Sequence, residues 1–282
     1  MHTIIDCNAV CHAAKYSIGS LSWEEKQTGI IFGFLRQLLK LSKLYKHDFI
    51  FCWDSKESFR KKIYPKYKFN RDKNKTEEEK QLDAIYFRQF DTIKTEVLPA
   101  IGYRNIFEVE GFESDDLIAR LVSDGIDAVI ATSDSDLYQL LIQDEIMMHD
   151  LRLKQLIQEH DFTEKYGISP ALWSKVKALA GCDSDNVEGI SGVGIKTAVK
   201  YLNGELNPSS ATYKKIKSDE GEDIFNRNFE LVDLPHSTTP SLHLKKEVLS
   251  FRAFIKVCTE CRFASMLHNN VLENYKKHLR LI

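Results

Sequence analysis

The chain has 282 residues, of which 43% are hydrophobic and 28% are charged, a composition typical of a globular protein with a sizeable core. Its formal net charge is −2, which excludes recognition of a polyanion through overall charge, so such a function would depend on local charge. No apolar run approaches the roughly 20 residues that span a bilayer, and no secretion signal is evident. We therefore expect a cytoplasmic monomer without a membrane partner.

The six cysteines do not predict a metal-binding motif. Cys258 and Cys261 have C-x-x-C spacing, but no second pair completes a zinc site. Their apolar neighbours predict a helix face, so we interpret both as buried structural thiols that stay reduced.

Short apolar segments recur along the first half of the chain, and acidic residues follow each of them. The segments with their acids are 3–5 with Asp6, 49–53 with Asp54, 102–109 with Glu113, Asp115 and Asp116, and 128–131 with Asp134 and Asp136. Helical patterns between them predict an α/β fold with a mainly parallel central sheet flanked by helices. Ligands bind such sheets beyond the carboxyl ends of the strands, so we expect these acids to converge. A plain capped helix start is the alternative for 113–116.

Residues 60–75 form a basic segment with eight cations, one acid and three interleaved aromatic residues. A solvated charged face is one interpretation. The aromatic residues favour a nucleic-acid-binding segment above the carboxylates, because cations neutralise phosphates and rings stack on bases. We predict DNA contacts from Arg60, Lys61, Lys62, Tyr64, Lys66 and Tyr67. Lys68 and Arg71 are the predicted catalytic cations on the scissile phosphate. Thr76 and Glu79 then form a predicted capping box.

The second half of the chain is predicted to be helical and contains a glycine-rich turn. A helix over 170–180 ends at Gly181, and Asp183 and Asp185 follow. The predicted DNA-backbone contacts beyond them are Gly189, Gly192, Gly194, Lys196 and Thr197. A P-loop is excluded because Ile195 separates Gly194 from Lys196. A hairpin between two helices that grips DNA fits better, and a plain helix–helix corner is the alternative. Core helices are predicted at 225–234 and 251–256.

The acids at the strand ends and in the loops predict a metal centre. The candidate ligands are Asp6, Asp54, Glu113, Asp115, Asp116, Asp134, Asp136, Asp183 and Asp185. So many carboxylates in one crevice would repel one another unless cations neutralised them. Oxygen ligands without clustered His or Cys favour Mg²⁺ or Mn²⁺. Two such ions below a basic segment suit phosphodiester hydrolysis.

These motifs, in this order, resemble the flap endonuclease and 5′→3′ exonuclease superfamily, which includes phage nucleases and the nuclease domain of bacterial DNA polymerase I. The resemblance rests on Ile4–Asp6, Trp53–Asp54, Tyr64–Arg71, Glu113–Asp116, Thr132–Asp136 and Asp185–Ala198. It implies a PIN-like core in which Asp6, Asp54, Glu113, Asp115 and Asp116 hold one ion, and Asp134, Asp136 and Asp185 hold the second. It also implies a helical arch, and a helix–two-turn–helix element that often binds K⁺. Relatives commonly have Asp after the glycine, whereas here Cys182 follows Gly181 and the first acid is Asp183.

The resulting prediction is a structure-specific 5′-nuclease of DNA replication or repair, in a bacterial or phage-infected cell. Its predicted substrates are DNA with 5′ flaps, 5′ ends or junctions. We predict an α/β nuclease core at 1–180 with its arch at about 56–98, and a helical DNA-binding region at 181–282 with the glycine-rich motif at 186–202. The alternatives are a nucleic-acid-binding protein with weakened catalysis, and a ribonuclease of related fold.

Overall fold

The structure is a computed structural model that describes residues 1–18, 22–23, 26–73 and 75–282. The side chains of residues 22, 23, 26, 71 and 72 lie outside this description. Within the described ranges, no helix is both long enough and apolar enough to cross a membrane.

The strands, in chain order, are β1 His2–Asp6, β2 Ser22–Trp23, β3 Lys26–Gln27, β4 Asp48–Cys52, β5 Ile106–Phe107, β6 Ala128–Thr132, β7 Ile146–Asp150, β8 Gln155–Ile157, β9 Gly181–Cys182 and β10 Val187–Glu188. Six of them form the central sheet, in the order β5-β4-β1-β6-β7-β8. All neighbours in this sheet are parallel except β7 and β8, which are antiparallel. The predicted fold class, a mainly parallel sheet flanked by helices, is therefore confirmed.

The α-helices are α1 Cys7–Ile18, α2 Gly29–Tyr45, α3 Arg60–Ile63, α4 Asn70–Lys73, α5 Glu77–Thr92, α6 Leu98–Ile101, α7 Ser114–Ser123, α8 Glu159–Tyr166, α9 Trp173–Ala180, α10 Ile195–Leu202, α11 Ala211–Ile216, α12 Asp219–Val232, α13 Phe251–Glu260 and α14 Asn269–His278. A π-helical turn, Ile93–Val97, joins α5 to α6, and short 3₁₀ helices span Asp136–Leu140, Pro170–Leu172, Asp183–Asp185 and Ala264–Met266.

Alternating side chains of the central strands build two apolar layers. Ile4 lies beside Ile50 and Ile130 in the register and faces the layer that contains α7 and α9. Ile5 points to the opposite layer, which α1, α2 and α13 cover. Both faces are buried, so these strands are apolar at almost every position, as parallel strands covered by helices generally are. The ends of β1, β4 and β6 consequently meet at one edge.

The region from 181 to 282 contributes to both layers. Helices α13 and α14 pack with α2 in one layer, and α10 and α11 pack with α9 and α12 in the other. Residues on both sides of position 180 therefore share the same cores.

Two predicted elements have different bounds in the structure. The strand predicted over 102–109 is only β5, because the backbone N–H groups of Arg104 and Asn105 donate to the Glu247 carboxylate instead of a neighbouring strand. The helix predicted over 225–234 starts earlier, at Asp219, since Ser218 caps it by accepting from Gly221 N at 3.2 Å.

Other local predictions are confirmed. Thr76 and Glu79 form the capping box at the start of α5, with side-chain contacts of 3.2 and 2.8 Å. Helix α13 contains Cys258, which is buried, and Cys261 follows the helix and is partly buried; within the described residues, neither cysteine is in a disulfide.

Candidate active site

The carboxylates predicted at the strand ends lie at the carboxyl edge of the sheet. Asp6, the last residue of β1, is 5% exposed. Its Oδ2 accepts from Thr132 Oγ1 at 2.6 Å, and its Oδ1 accepts from Ala9 N at 3.1 Å. Thr132 ends β6, so two adjacent strands orient this carboxylate.

The start of helix α7 brings Asp54 to the same place. Ser114 N donates to Asp54 Oδ1 at 2.8 Å, and Ser114 Oγ lies 3.4 Å from Asp6 Oδ1. Asn8 Oδ1 accepts from Asp54 N at 3.2 Å. The partial positive charge of the helix N-terminus thus acts on Asp54 through the backbone N–H of Ser114, while the Ser114 side chain contacts Asp6. Sequence reasoning did not identify Ser114 or Thr132 as site residues, and the only signal was their polarity beside buried apolar positions.

Asp6, Asp54, Asp115 and Asp134, which we term the first carboxylate group, influence one another electrostatically. Burial, followed by the charge of Asp54, raises the pKa of Asp6 to about 7. Burial and the charges of Asp134, Asp6 and Asp54 raise the pKa of Asp115 well above its ordinary value. Like charges disfavour ionisation of their neighbours, so a bound cation would relieve this repulsion.

Glu113 is held by cations instead. Lys68 Nζ lies 2.9 Å from its Oε2, and the Tyr67 hydroxyl donates to the same oxygen at 2.9 Å. Burial alone would raise the pKa of Glu113, but the charges of Lys68 and Arg60 hold it below its ordinary value. The structure therefore joins the predicted catalytic lysine to a predicted metal ligand at the edge of the first carboxylate group.

Two predicted site residues pair with each other inside the protein. The guanidinium of Arg60 donates to both carboxylate oxygens of Asp116, at 2.5 and 2.8 Å, and Arg60 Nε donates to Leu231 O. Arg60 is 1% exposed and Asp116 is fully buried. The predictions of a DNA contact for Arg60 and a metal ligand for Asp116 are thus wrong, because each satisfies the charge of the other.

The predicted base-stacking tyrosines are also buried. Tyr64 and Tyr67 pack against Ala178, Leu231 and Val232, and Tyr67 is 3% exposed. Stacking on bases requires an open ring face, so the DNA-contact predictions for these two rings are wrong. The predicted contacts that remain exposed on this segment are Lys61, Lys62 and Lys66. The side chain of Arg71 lies outside the described residues.

A second cluster of potential ligands lies beyond the first, formed by Asp136, Cys182 and Asp185, which we term the second donor group. One ligand atom from each lies within 4.8 Å of the other two. Cys182, which the sequence did not predict as a ligand, belongs to this group, whereas Asp183 is exposed and lies outside it, so the structure does not bring Asp183 together with the other two acids. Cys182, the residue immediately after Gly181, is buried, whereas Asp183 is exposed.

Lys177, which the sequence analysis did not single out, lies beside the second donor group. Its Nζ is 2.6 Å from Asp136 Oδ1 and 3.3 Å from Ser135 Oγ. Burial alone would lower the pKa of Lys177, but the charge of Asp136 raises it above its ordinary value. This ammonium ion therefore partly neutralises the second donor group.

The glycine-rich turn contains two kinds of position. Gly192 and Gly194 are exposed, as is Lys196, while Thr197 is partly exposed in the first turn of α10. A Cβ on Gly189 would lie 2.2 Å from the backbone of Ala180. Gly189 thus permits close packing against α9. At Gly192 and Gly194 no atom of the described residues blocks the surface, so the predicted contact with a DNA backbone is sterically possible there.

Comparison with known proteins agrees with this arrangement. The family model for the 5′-3′ exonuclease N-terminal resolvase-like domain matches residues 1–167. DNA polymerase I of Mycobacterium leprae is 31% identical over 256 residues, which cover 83% of this chain and 27% of that protein. The thermostable DNA polymerase I of Thermus aquaticus is 31% identical over 264 residues, or 87% of this chain and 30% of that protein. The chain thus spans less than a third of these relatives.

Solved structures share the fold at lower identity. The phage T5 5′-exonuclease with bound zinc is 21% identical, with a TM-score of 0.71 over 99% of this chain and 98% of that one. Flap endonuclease-1 from Methanococcus jannaschii is 15% identical, with a TM-score of 0.59 over 99% of this chain and 92% of that one. The predicted resemblance is confirmed: the chain belongs to the family of the 5′-3′ exonuclease N-terminal resolvase-like domain.

Proposed function

We propose that this chain is a structure-specific 5′-nuclease that hydrolyses DNA phosphodiester bonds with the help of divalent metal ions, in DNA replication or repair. The observation that carries the proposal is the first carboxylate group, in which burial and neighbouring acids raise the pKa of Asp6 and of Asp115, with the cation Lys68 at its edge. Perturbed carboxylates at the strand ends of a parallel sheet are typical of a catalytic centre.

The first carboxylate group fits a hard divalent cation. Its side-chain donors are all carboxylate oxygens, which Mg²⁺ and Mn²⁺ prefer. Their mutual repulsion favours a bound positive charge. We propose that Asp6, Asp54 and Asp115, with Asp134, hold one such ion, and that Asp136, Cys182 and Asp185 hold a second. Bound ions of this kind supply a nucleophilic hydroxide and stabilise the leaving oxygen.

The chain's own residues would then position the substrate. Lys68 lies at the rim of the acids, and we propose that it exchanges its contact with Glu113 for one with the scissile phosphate. Tyr67 remains hydrogen-bonded to Glu113 and keeps this end of the basic segment in place. The backbone of Lys68 is anchored as well, since its N–H donates to Asp185 O at 2.8 Å. Such preorganised cations stabilise charge that develops in the transition state.

DNA would contact two separate surfaces. We propose that Lys61, Lys62 and Lys66 meet the phosphates of the 5′ strand near the arch, and that Gly192, Gly194 and Lys196 meet the duplex backbone. A K⁺ ion at the glycine-rich turn, a monomeric state and a location in bacterial or phage-infected cytoplasm remain predictions. DNA with 5′ flaps, 5′ ends or junctions is the proposed substrate.

Cleavage of a 5′-flap DNA with Mg²⁺ tests the proposal, with a matched RNA strand and an EDTA reaction as comparisons. We expect metal-dependent cleavage of the DNA near the junction. Binding without cleavage would instead favour the nucleic-acid-binding alternative, to which Cys182 in the second donor group lends support. Preferential cleavage of the RNA would favour the ribonuclease.

A further inference from the structure

The second donor group differs chemically from the first because it contains sulfur. Cys182 is 8% exposed, and its Sγ lies within 4.8 Å of carboxylate oxygens of Asp136 and Asp185. A tetrahedral ion with a sulfur at about 2.3 Å and oxygens at about 2.0–2.2 Å separates such donors by about 3.5 Å. The three side chains therefore need only small movements to share one ion.

A separate observation concerns one oxygen of Asp136. The Oδ1 atom is buried, and its partner is the Lys177 ammonium, which lies 2.6 Å away in an ion pair. Buried carboxylate oxygens are normally hydrogen-bonded or bound to a cation. The structure thus shows that this oxygen holds a cation beside Cys182 and Asp185, and a metal ion bound there would take the place of the ammonium.

We infer that the second donor group binds a thiophilic divalent ion, of the zinc, cobalt or cadmium class, through the Cys182 thiolate, and that Mg²⁺ does not compete effectively for this position. Thiolates bind such ions in preference to magnesium, whereas carboxylates alone suit magnesium and manganese. The inference deepens the proposed function, because it assigns an ion class to one half of the same site.

Binding requires a simple exchange of charge. The Cys182 S–H bond breaks, its proton passes to solvent, and the sulfur keeps the electron pair that forms the bond to the ion. No oxidation or reduction occurs. The ion replaces Lys177 Nζ as the cation on Asp136 Oδ1, and the lysine moves towards solvent.

Cobalt titration of the full chain without DNA, in excess Mg²⁺, tests the inference. Cobalt bound by a thiolate gives a sulfur-to-metal charge-transfer absorption in the near ultraviolet, which oxygen ligands do not give. We expect this band in the wild type and in Cys261→Ser, a matched control that removes a thiol outside the site. Cys182→Ser should lose the band. The affinity for cobalt at this position should fall by about 10-fold or more, because loss of even an outer-shell partner typically lowers metal affinity by about 10–100-fold.

Cys182→Asp provides a second variant in case the serine variant does not fold, with circular dichroism as the check of folding. It should show no band, and Mg²⁺ should now compete with cobalt for an all-oxygen position. A band that persists in Cys182→Ser, a cobalt-saturated wild type without a band, or a wild-type band that excess Mg²⁺ abolishes would overturn the inference. The readout involves no cleavage, so failure of the nuclease proposal would leave this result interpretable.

Discussion

The two clusters lie near each other, since the charges of Asp136 and Asp185 act on Asp134, but their charges are balanced differently. In the first carboxylate group, acids lie among acids, and burial and repulsion raise the pKa of Asp6 to about 7. In the second donor group, Lys177 already pairs with Asp136, and a thiol replaces one expected carboxylate. Only the second group, within the described residues, brings three potential ligand atoms within 4.8 Å of one another.

This contrast shows that the spacing of the potential ligand atoms and the net charge of the group can vary independently. Mutual repulsion favours a wider spacing of the first group until a cation binds, while a neutral thiol and an ammonium ion allow the second group to close up. A single residue, Cys182, changes the donor chemistry without changing the fold.

Loss of an acid from the first carboxylate group should have the largest effect. We expect Asp115→Asn to lower single-turnover cleavage of a 5′-flap DNA by at least about 10³-fold, since it removes a ligand from the group whose charge requires the ion. DNA binding in EDTA should remain nearly unchanged, because phosphate contacts elsewhere supply it. Asp183→Asn is the matched control and should cleave normally; a comparable defect there would return Asp183 to the metal site.

Variants of Lys68 and Lys196 should distinguish the catalytic step at the first carboxylate group from the binding of duplex DNA. Lys68→Ala should lower turnover by about 10²–10³-fold, by analogy with removal of one preorganised donor. Lys196→Ala, remote from both clusters, should raise KM with little change in turnover and reduce the salt dependence of binding by about one ion. Single-turnover rates and salt titrations on one substrate measure both. If Lys68→Ala and Lys196→Ala lowered the saturated rate equally, the assignment of Lys68 to catalysis and of Lys196 to duplex binding would be wrong.

The buried pair of Arg60 and Asp116 lies beside Glu113, whose Oε2 is 3.7 Å from Arg60 Nη1, and it should serve stability. Arg60→Met leaves Asp116 buried without its partner and should lower the free energy of unfolding by about 3–5 kcal/mol. Lys61→Met, one residue away and exposed, should change it by less than about 0.5 kcal/mol but weaken DNA binding. Denaturant unfolding monitored by fluorescence checks the pair. Similar stabilities of the two variants would argue against a structural role for Arg60.

The raised pKa of Asp6 predicts how the metal-free protein responds to pH. The folded state retains a proton on Asp6 up to pH about 7, whereas the ordinary value is 3.8. Between these two pH values the folded state therefore binds more protons than the unfolded state does. The contribution of Asp6 to the free energy of unfolding falls by up to about a few kcal/mol as pH rises from about 4 to about 7, and then levels off. Melting temperatures in EDTA measure this trend. Asp6→Asn should flatten it, and saturating Mn²⁺ should oppose it; an unchanged slope in Asp6→Asn would assign the trend to other groups.

The smallest expected effect concerns the cation of the second donor group. Lys177→Met removes a positive charge from the ion's position and should raise cobalt affinity there by about 10-fold. Lys175→Met, exposed on the same helix, is the control and should leave the affinity unchanged. The charge-transfer titration measures both, and weaker cobalt binding in Lys177→Met would mean that the lysine supports the ion rather than competing with it.

Much of the architecture was predictable because it depends on local patterns. Apolar runs that end in acids predicted strands β1, β4 and β6, and parallel strands place their carboxyl ends at one edge. The capping box at Thr76 was predictable for the same reason, since both partners lie within one helical turn. The 102–109 segment was not, because Glu247, far along the chain, takes its backbone hydrogen bonds.

The sequence by itself determined the α/β fold, the family and the convergence of acids at the strand ends, because all three follow from short-range spacing and residue order. Only the tertiary structure decided which charged residues are buried and which stay exposed. Arg60 and Lys61 are neighbours of similar charge, yet the carbonyl of Leu231 and the carboxylate of Asp116 bury one while the other stays exposed. Burial depends on contacts between residues distant in sequence, and it sets whether a charge binds a ligand or a partner inside the protein.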